Sequence, residues 1–163
     1  MARKVFYSFH YKPDNWRAAQ VRNIGKIEGN KPASDNDWET VSKGGDRKIK
    51  AWIDAQMVGR SCAVVLIGRD TKGRKWINYE IKKAWADRKG LVGIYIHGLK
   101  NAAGYQTTKG ANPFRGFQVG TRSLSGIVKA YDPPYSTSTS VYGYIERNLE
   151  KWVEEAISIR NQF

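Results

Sequence analysis

The sequence predicts an α/β fold built around a central, mostly parallel β-sheet. Residues 62–68 (CAVVLIG) and 91–96 (LVGIYI) are continuous apolar runs, which are typical of parallel strands buried on both faces. Segments with the 3.6-residue periodicity of amphipathic helices alternate with these runs. Because short strand–helix–strand connections favour right-handed crossovers, we expect the two runs to be adjacent central strands that run parallel.

The N-terminal segment predicts a strand followed by a helix. Residues 4–9 (KVFYSF) are aromatic and β-branched, which favours a strand over a secretion signal. Asp14 or Asn15 is placed to cap a helix from Trp16 to about Ile24. Ligands of parallel sheets bind beyond the carboxyl ends of the strands, so the residues that follow this strand lie where a crevice is expected.

The middle of the chain alternates loops and helices. Residues 25–45 are rich in Gly, Pro, Asn and Ser and predict a loop, in which a short strand is open but is given no position. Asp46 is expected to cap an amphipathic helix over residues 46–58. A further helix is predicted over residues 76–88, with Gly90 ending it.

The C-terminal half combines a strand, a long insertion and a helix. Residues 91–98 predict a buried strand, and residues 98–126 form an insertion too long for a simple connector. A last strand is expected within residues 126–134, and a final helix at about 139–161 with a cap in the STSTS segment. The length favours a single domain over residues 1–163.

The composition is that of an ordinary globular protein, with 40% hydrophobic and 26% charged residues. No apolar run approaches the roughly 20 residues that span a bilayer, so no membrane partner is expected. Cys62 is the single cysteine, which excludes an internal disulfide, and its apolar surroundings predict a buried, inert thiol. This cysteine usage fits a reducing compartment, so we expect a cytoplasmic location.

The chain is strongly basic. Its formal net charge is +13, from 28 Lys and Arg against 15 Asp and Glu, and the densest basic stretch is residues 69–89. A nucleic acid, an acidic partner or a phosphate-bearing small molecule could each use such a surface, and a solvated basic surface needs no ligand. Charge therefore leaves the class of partner open.

Several common catalytic motifs are absent from the sequence. There is no G-x-x-x-x-G-K-[ST] and no G-x-G-x-x-G, which excludes a P-loop and a dinucleotide-binding Rossmann fingerprint. His10 and His97 are the only histidines and no cysteine pair exists, so we expect no metal site. His97 ends a buried strand and is expected to be structural. His10 lies past the first strand, where a structural role and a site role are both open.

Residues 76–85 (WINYEIKKAW) predict a helix that carries an acid and an indole beside its apolar stripe. At about 100° per residue, Trp76 and Glu80 share a line just off the edge of that stripe. A structural interpretation packs Trp76 on its neighbour and pairs Glu80 with Lys83 or Lys82 at the surface. A functional interpretation places both residues at the edge of a site.

Three segments, in this order, resemble a known family. KVFYSFHY (residues 4–11), CAVVLIG (62–68) and WINYEI (76–81) together look like the TIR (Toll/interleukin-1 receptor-like) domain. More narrowly they resemble its prokaryotic branch, which includes the ThsB proteins of Thoeris anti-phage defence, and KGANPFRG (109–116) is also similar to that branch. The resemblance implies a flavodoxin-like, three-layer α/β/α fold and, in many members, cleavage of NAD.

The resemblance also implies a set of site residues. The family's catalytic glutamate falls on Glu80, and its aromatic residue four positions earlier falls on Trp76. Ser8, Phe9 and His10 would line the nicotinamide-ribose pocket. Many TIR enzymes have an arginine where this chain has His10, and this difference points to a product other than that of simple hydrolysis. The implied site holds no metal and no bound cofactor, because NAD enters as the substrate.

One carboxylate is enough for such a reaction. The nicotinamide of NAD is a pyridinium and leaves as a neutral base, so no general acid has to protonate it, whereas an O-glycoside needs two carboxylates. A carboxylate that binds the ribose hydroxyls offsets the developing oxocarbenium charge. An aromatic side chain can stack on the leaving ring and orient the bond.

Three functional hypotheses follow. The first is an NAD glycohydrolase or ADP-ribosyl cyclase of antiviral defence, whose cyclic ADP-ribose-type signal activates a separate effector protein. The second is a non-catalytic TIR-like module that assembles with itself or with partners. The third is a nucleic-acid binder, which only the charge of +13 favours. The infection trigger, the effector, the oligomeric state and the product isomer stay open.

Overall fold

The computed structural model describes residues 2–30 and 44–163. Within them the strands are β1 (Lys4–Ser8), β2 (Glu28–Gly29), β3 (Cys62–Ile67), β4 (Gly90–Tyr95), β5 (Gln118–Val119), β6 (Arg122–Ser123) and β7 (Ala130–Tyr131). The described α-helices are α1 (Tyr11–Arg22), α2 (Asp46–Met57), α3 (Lys75–Ala86) and α4 (Ser138–Arg160). β2, β1, β3, β4 and β7 form a parallel sheet in that order, while β5 and β6 form an antiparallel pair.

The centre of the sheet is the pair β3 and β4, where the two apolar runs lie. They pair in parallel from Cys62 opposite Gly90 to Ile67 opposite Tyr95. Every residue of both strands is buried, and each strand has a neighbour on both sides. The prediction of adjacent central parallel strands is confirmed, because only strands covered on both faces need continuous apolar sequence.

Helices cover both faces of this sheet. Side chains alternate along β4, so that Val92 and Ile94 join the core completed by α1 and α4, while Leu91 and Tyr95 join the core beneath α2 and α3. The architecture is a three-layer α/β/α arrangement around a parallel sheet, as the resemblance implied.

Helix α1 begins at Tyr11, about one turn earlier than predicted. His10 is the N-cap residue, its side chain makes no capping hydrogen bond, and Asp14 lies inside the helix. The predicted cap, Asp14 or the next residue, is therefore wrong. The physical reason is that the Asp14 carboxylate forms a buried ion pair with Arg17, so it is not available to cap a later start.

The predicted loop over residues 25–45 contains the short edge strand β2, and residues 31–43 of that loop lie outside the described part of the chain. Gly45, with φ of 80°, is the N-cap of α2, so the predicted cap at Asp46 is wrong. Asp46 lies in the first helical turn instead, and its carboxylate pairs with Lys75 at the start of α3.

The end of α3 also differs from the prediction. The helix ends at Ala86, and the chain turns at Arg88, whose φ of 60° is left-handed. Gly90 opens β4 rather than capping the helix. It has to be glycine for another reason, since a Cβ atom there would lie 2.8 Å from the backbone nitrogen of Ile157 on α4.

Residues 98–126 form the predicted insertion, with β5, β6 and a 3₁₀ helix (Leu124–Gly126) near its end. Helix α4 follows Thr137, whose hydroxyl accepts a hydrogen bond from the Ser140 backbone N–H, so the predicted STSTS cap is confirmed. Among the described residues, no helix is long and apolar enough to cross a membrane. The single-domain organisation stays a prediction.

Candidate active site

A serine and a glutamate meet where the carboxyl end of β1 lies against the first turns of α3. Ser8 is the last residue of β1, and Glu80 lies on the buried face of α3 beside Ile77 and Ile81. The Ser8 hydroxyl donates a hydrogen bond to Oε1 of Glu80 over 2.9 Å. Glu80 is only 6% exposed. The periodicity placed Glu80 at the edge of the apolar stripe, whereas the structure places it inside the protein.

Burial changes the protonation of Glu80. The loss of hydration raises the pKa of this carboxyl from 4.5 to about 8, and the hydrogen bond from Ser8 lowers it only in part. The carboxyl therefore holds its proton at neutral pH when the site is empty. A cation placed beside Glu80 would favour the ionised form of the carboxyl.

The surface ion pair of Glu80 with Lys83 or Lys82, which the structural interpretation of the sequence expected, is not formed. Lys83 pairs with Asp87 at 3.0 Å, and Lys82 lies over the ring of Phe117. The structural interpretation of Glu80 is therefore wrong. A buried carboxyl held by one hydroxyl costs stability, and carboxyls in this situation concentrate in functional sites.

Trp76 lies one helical turn before Glu80 on α3 and is half-buried. Its ring meets Tyr79 edge to face, with centroids 5.9 Å apart, and the Nζ atom of Lys75 lies 5.0 Å above it. The Tyr79 hydroxyl donates to Asp54 of α2 over 2.6 Å and so fixes the ring against which Trp76 packs. Trp76 also packs against the core on the α2 and α3 side of the sheet, and a cleft shared with the end of β1 stays a prediction.

Phe9 and His10 follow β1 directly, and their side chains lie in different environments. Phe9 packs against the core on the α1 and α4 side, the face opposite to Glu80, and stacks on Tyr11 at 6.1 Å. His10 is half-buried, and its Nδ1 atom has no hydrogen-bond partner in the described chain. Burial, and secondarily Arg74, lowers the pKa of His10, which favours the neutral imidazole. The structure thus joins Ser8 to Glu80 directly, and the roles of Phe9 and His10 stay predictions.

A buried ion pair that the sequence analysis missed lies next to this edge. Asp14 and Arg17 contact each other at 3.1 Å, with side chains 2% and 5% exposed. Arg17 also donates to the backbone carbonyls of Leu99 and Tyr105. It therefore ties α1 to the insertion. An acid and a base three residues apart on one helix are a readable signal, but assigning Asp14 as a cap concealed it.

Two glycines allow three segments to meet at the carboxyl edge of the sheet. A Cβ atom on Gly68 would lie 2.0 Å from Oδ2 of Asp14, and one on Gly110 would lie 2.1 Å from the carbonyl oxygen of Gly68. No side chain fits at these distances, so both positions require glycine. The start of α1, the loop after β3 and the insertion are consequently in close contact.

Two cavities open along the same edge. One, of about 630 Å³, lies between the first turns of α1, the loop after β3 and residues 101–107 of the insertion. The other, of about 400 Å³, lies along residues 69–74 and shares Arg69 and Asp70 with the first. Neither is lined by Glu80 or Trp76, so the buried carboxyl is not part of the walls of these two cavities.

The described residues contain no group of three or more His, Cys, Asp or Glu side chains that could hold a metal ion. The Nε2 atom of His97 lies 3.9 Å from Asp132, and burial lowers the pKa of its imidazole. Cys62 is buried, and burial raises the pKa of its thiol. A thiol in this state is neither a nucleophile nor a metal ligand.

Comparison with known proteins identifies relatives of the chain. The family model "Thoeris protein ThsB, TIR-like domain" matches residues 6–101, which include Ser8, Trp76 and Glu80. The chain is also similar to a protein of Bacillus cereus (strain MSX-D12) named "Putative cyclic ADP-D-ribose synthase ThsB1". The two are 35% identical over 119 residues, which cover 70% of this chain and 62% of the relative. The matched region thus spans less than two thirds of that relative.

The family match and the architecture agree. The matched residues run from β1 to the start of the insertion and include the central strands β3 and β4, as well as α3 with its buried glutamate. The match covers more than half of the 163 residues. The chain belongs to the family of TIR-like domains of the Thoeris protein ThsB.

Proposed function

We propose that this protein cleaves NAD at the bond between nicotinamide and ribose and makes a cyclic ADP-ribose-type signal in anti-phage defence. Family membership and the relative's name as a cyclic ADP-D-ribose synthase support this proposal. NAD is the substrate, and no metal or bound cofactor takes part. The signal acts on a separate effector protein in the cytoplasm, and the enzyme can self-associate.

The observation that carries the proposal is the buried contact between Ser8 and Glu80. The carboxyl is poorly hydrated and holds its proton while the site is empty. A bound nicotinamide ring brings a positive charge, which favours release of that proton. The site therefore charges Glu80 when a pyridinium substrate arrives, and the carboxylate then faces the developing oxocarbenium ion in a poorly hydrated environment.

Ser8 acts on the same carboxyl as a positioning residue. Its hydroxyl donates to Oε1, which leaves Oε2 of Glu80 for the ribose hydroxyls. Trp76 stacks on the nicotinamide ring, and His10 borders the pocket as a neutral imidazole. Once nicotinamide has left, attack on the ribose carbon by a group of the substrate itself gives a cyclic product, and attack by water gives linear ADP-ribose.

The test is incubation with NAD and separation of the products by chromatography with mass spectrometry. Wild type is expected to release nicotinamide and a cyclic isomer of ADP-ribose, and Glu80→Gln to lose about 10²–10³-fold in rate. Glu150→Gln, an exposed glutamate on α4, is the matched control and should keep wild-type activity. Unchanged NAD with the wild-type protein, including extracts of infected cells, would favour the non-catalytic module.

A further inference from the structure

A row of cations extends along the edge of the sheet from the site. Arg74 and Asp70 both act electrostatically on the His10 imidazole, so their loop lies beside the end of β1. Helix α3 starts directly after Arg74, and no side chain caps its N-terminus. Its first backbone N–H groups are therefore not satisfied by a capping side chain.

The smaller cavity has the chemistry of a phosphate site. Arg69, Lys72 and Arg74 line its walls. The carboxylate in these walls is Asp70, which lies 4.0 Å from Arg69 and is 67% exposed, so the cavity keeps a net positive charge. Cations next to the N-terminus of a helix bind phosphate groups well.

The larger cavity continues from the smaller one and offers an aromatic wall. Trp16 lines it and remains 58% exposed, which is unusual for an indole that serves only for packing. Asn15, which is half-buried on the first turns of α1, lines it too. The volume of about 630 Å³ is within the range of cavities that hold small organic ligands.

The walls of this larger cavity are held in place. Arg17 bonds to the carbonyls of Leu99 and Tyr105 and fixes the insertion across from α1. The Asn101 side chain accepts hydrogen bonds from the backbone N–H groups of Ala103 and Tyr105 and fixes the turn of that segment. A preformed cavity of this kind does not have to be ordered when a ligand binds.

We infer that the two cavities bind the adenosine diphosphate half of the dinucleotide, with the diphosphate between Arg69, Lys72 and Arg74 and the adenine on Trp16. This inference rests on the proposed function, because it takes NAD as the substrate. The order along the edge is then Glu80 at the nicotinamide ribose, the cations at the diphosphate and the indole at the base. The amide of Asn15 can bond to the adenine or to its ribose.

The inference is tested with ADP as a probe that contains this half alone. Calorimetry measures the affinity for ADP of four proteins: wild type, Glu80→Gln, Trp16→Ala and the double variant Arg69→Gln/Lys72→Gln. Wild type and Glu80→Gln should bind ADP equally, whereas Trp16→Ala should bind ADP at least about tenfold more weakly. The reason is that stacking of a base on an aromatic side chain contributes about this much affinity. The double variant should also bind more weakly, and its remaining affinity should depend less on salt.

Two controls match these changes. Phe163→Ala removes another exposed aromatic ring, which packs on Trp85 at the far end of α3. Arg47→Gln/Lys151→Gln removes the same charge from exposed positions on α2 and α4. Both should bind ADP as wild type does. Trp16→Ala should also raise the KM for NAD by at least about tenfold while kcat changes less.

Failure to bind ADP, or equal binding by Trp16→Ala and wild type, would overturn the inference. Weaker ADP binding with an unchanged KM for NAD would overturn it too, since the cavities would then hold a separate nucleotide. These results are independent of turnover. A protein that binds ADP through Trp16 but does not consume NAD refutes the proposed activity and keeps the nucleotide site.

Discussion

At the scale of single residues, Glu80 is the side chain whose environment departs most from what its sequence position suggests. It lies just off the apolar stripe of its helix, yet it is buried against the end of β1 and bonded to Ser8. Helical periodicity could identify the stripe, and the family resemblance could identify the glutamate. The contact with Ser8 joins residues 72 positions apart, so no local pattern contains it.

The pKa of Glu80 predicts how activity depends on pH. In the free enzyme the carboxyl ionises at about pH 8, and kcat/KM reports the free enzyme. Because the ionised form is the active one, kcat/KM for NAD should rise as pH increases towards about 8 and then level off. Ser8→Ala removes a hydrogen bond that lowers this pKa, so its profile should shift to higher pH. A flat profile, or a shift to lower pH in Ser8→Ala, would contradict this role of Glu80.

The same pKa predicts the stability of Glu80→Gln. The pKa is about 8 in the folded protein against an ordinary value of 4.5, so between these values the native state keeps a proton that the unfolded state releases. Wild-type stability should therefore fall as pH rises through this window. Glutamine has no such proton and keeps an acceptor for the Ser8 hydroxyl. The free energy of unfolding of Glu80→Gln should therefore rise relative to that of wild type, on the order of a few kcal/mol, as the pH goes from about 5 to 9.

Urea unfolding of Glu80→Gln and wild type at pH 5 and at pH 9 measures this stability difference, with Glu150→Gln as the control. At the boundary position that helical periodicity gives Glu80, a substitution would cost about 0.5 kcal/mol or less at any pH. Burial replaces that expectation with a pH-dependent one. A stability difference between Glu80→Gln and wild type that is the same at pH 5 and pH 9 would show that Glu80 does not titrate abnormally.

At the scale of elements, β3, β4 and α3 were predictable because a strong pattern covers their whole length. The start of α1 was not, since a buried Asp14–Arg17 pair and a cap at Asp14 look alike in sequence. β2 has two residues, and its place depends on pairing with β1, which lies more than 20 residues earlier. Patterns thus predicted the long elements, and tertiary contacts decided the short ones.

The link between α1 and the insertion can be tested through Arg17. Arg17→Met leaves the buried carboxylate of Asp14 without its partner and removes the bonds to the insertion, so the free energy of unfolding should fall by about 3–5 kcal/mol. Asp14→Asn/Arg17→Met should recover part of that loss. The control is Arg3→Gln, which breaks an exposed, solvent-screened pair with Glu154 and should cost far less stability than Arg17→Met. Equal losses for Arg17→Met and Arg3→Gln would exclude a structural role of the buried pair.

The contact of the insertion with the loop after β3 can be tested at Gly110. A methyl group there would meet the backbone carbonyls of Gly68 and Arg69, which cannot yield as a side chain can, so Gly110→Ala should destabilise the protein by about 1–3 kcal/mol. Gly126→Ala is the matched control, because nothing lies within 4 Å of its added Cβ atom. Thermal unfolding of both variants measures the difference, and equal midpoints would show that the insertion does not pack as described.

At the scale of the whole molecule, the features that bear on function collect at the carboxyl edge of the parallel sheet. The buried Glu80, the uncapped start of α3 and the two cavities all lie at this edge. General rules for parallel sheets predicted the place. The net charge of +13 left the ligand open, and the inferred diphosphate site assigns the cations at residues 69–74 to a phosphate-bearing small molecule.

The proposed activity is tested most directly by NAD consumption with wild type and Glu80→Gln side by side, each shown to be folded by a cooperative unfolding transition. Wild type should release nicotinamide together with a cyclic isomer of ADP-ribose, while the variant should be slower by about 10²–10³-fold and should no longer protect cells against phage. Equal NAD consumption by the two proteins would contradict a catalytic role of Glu80.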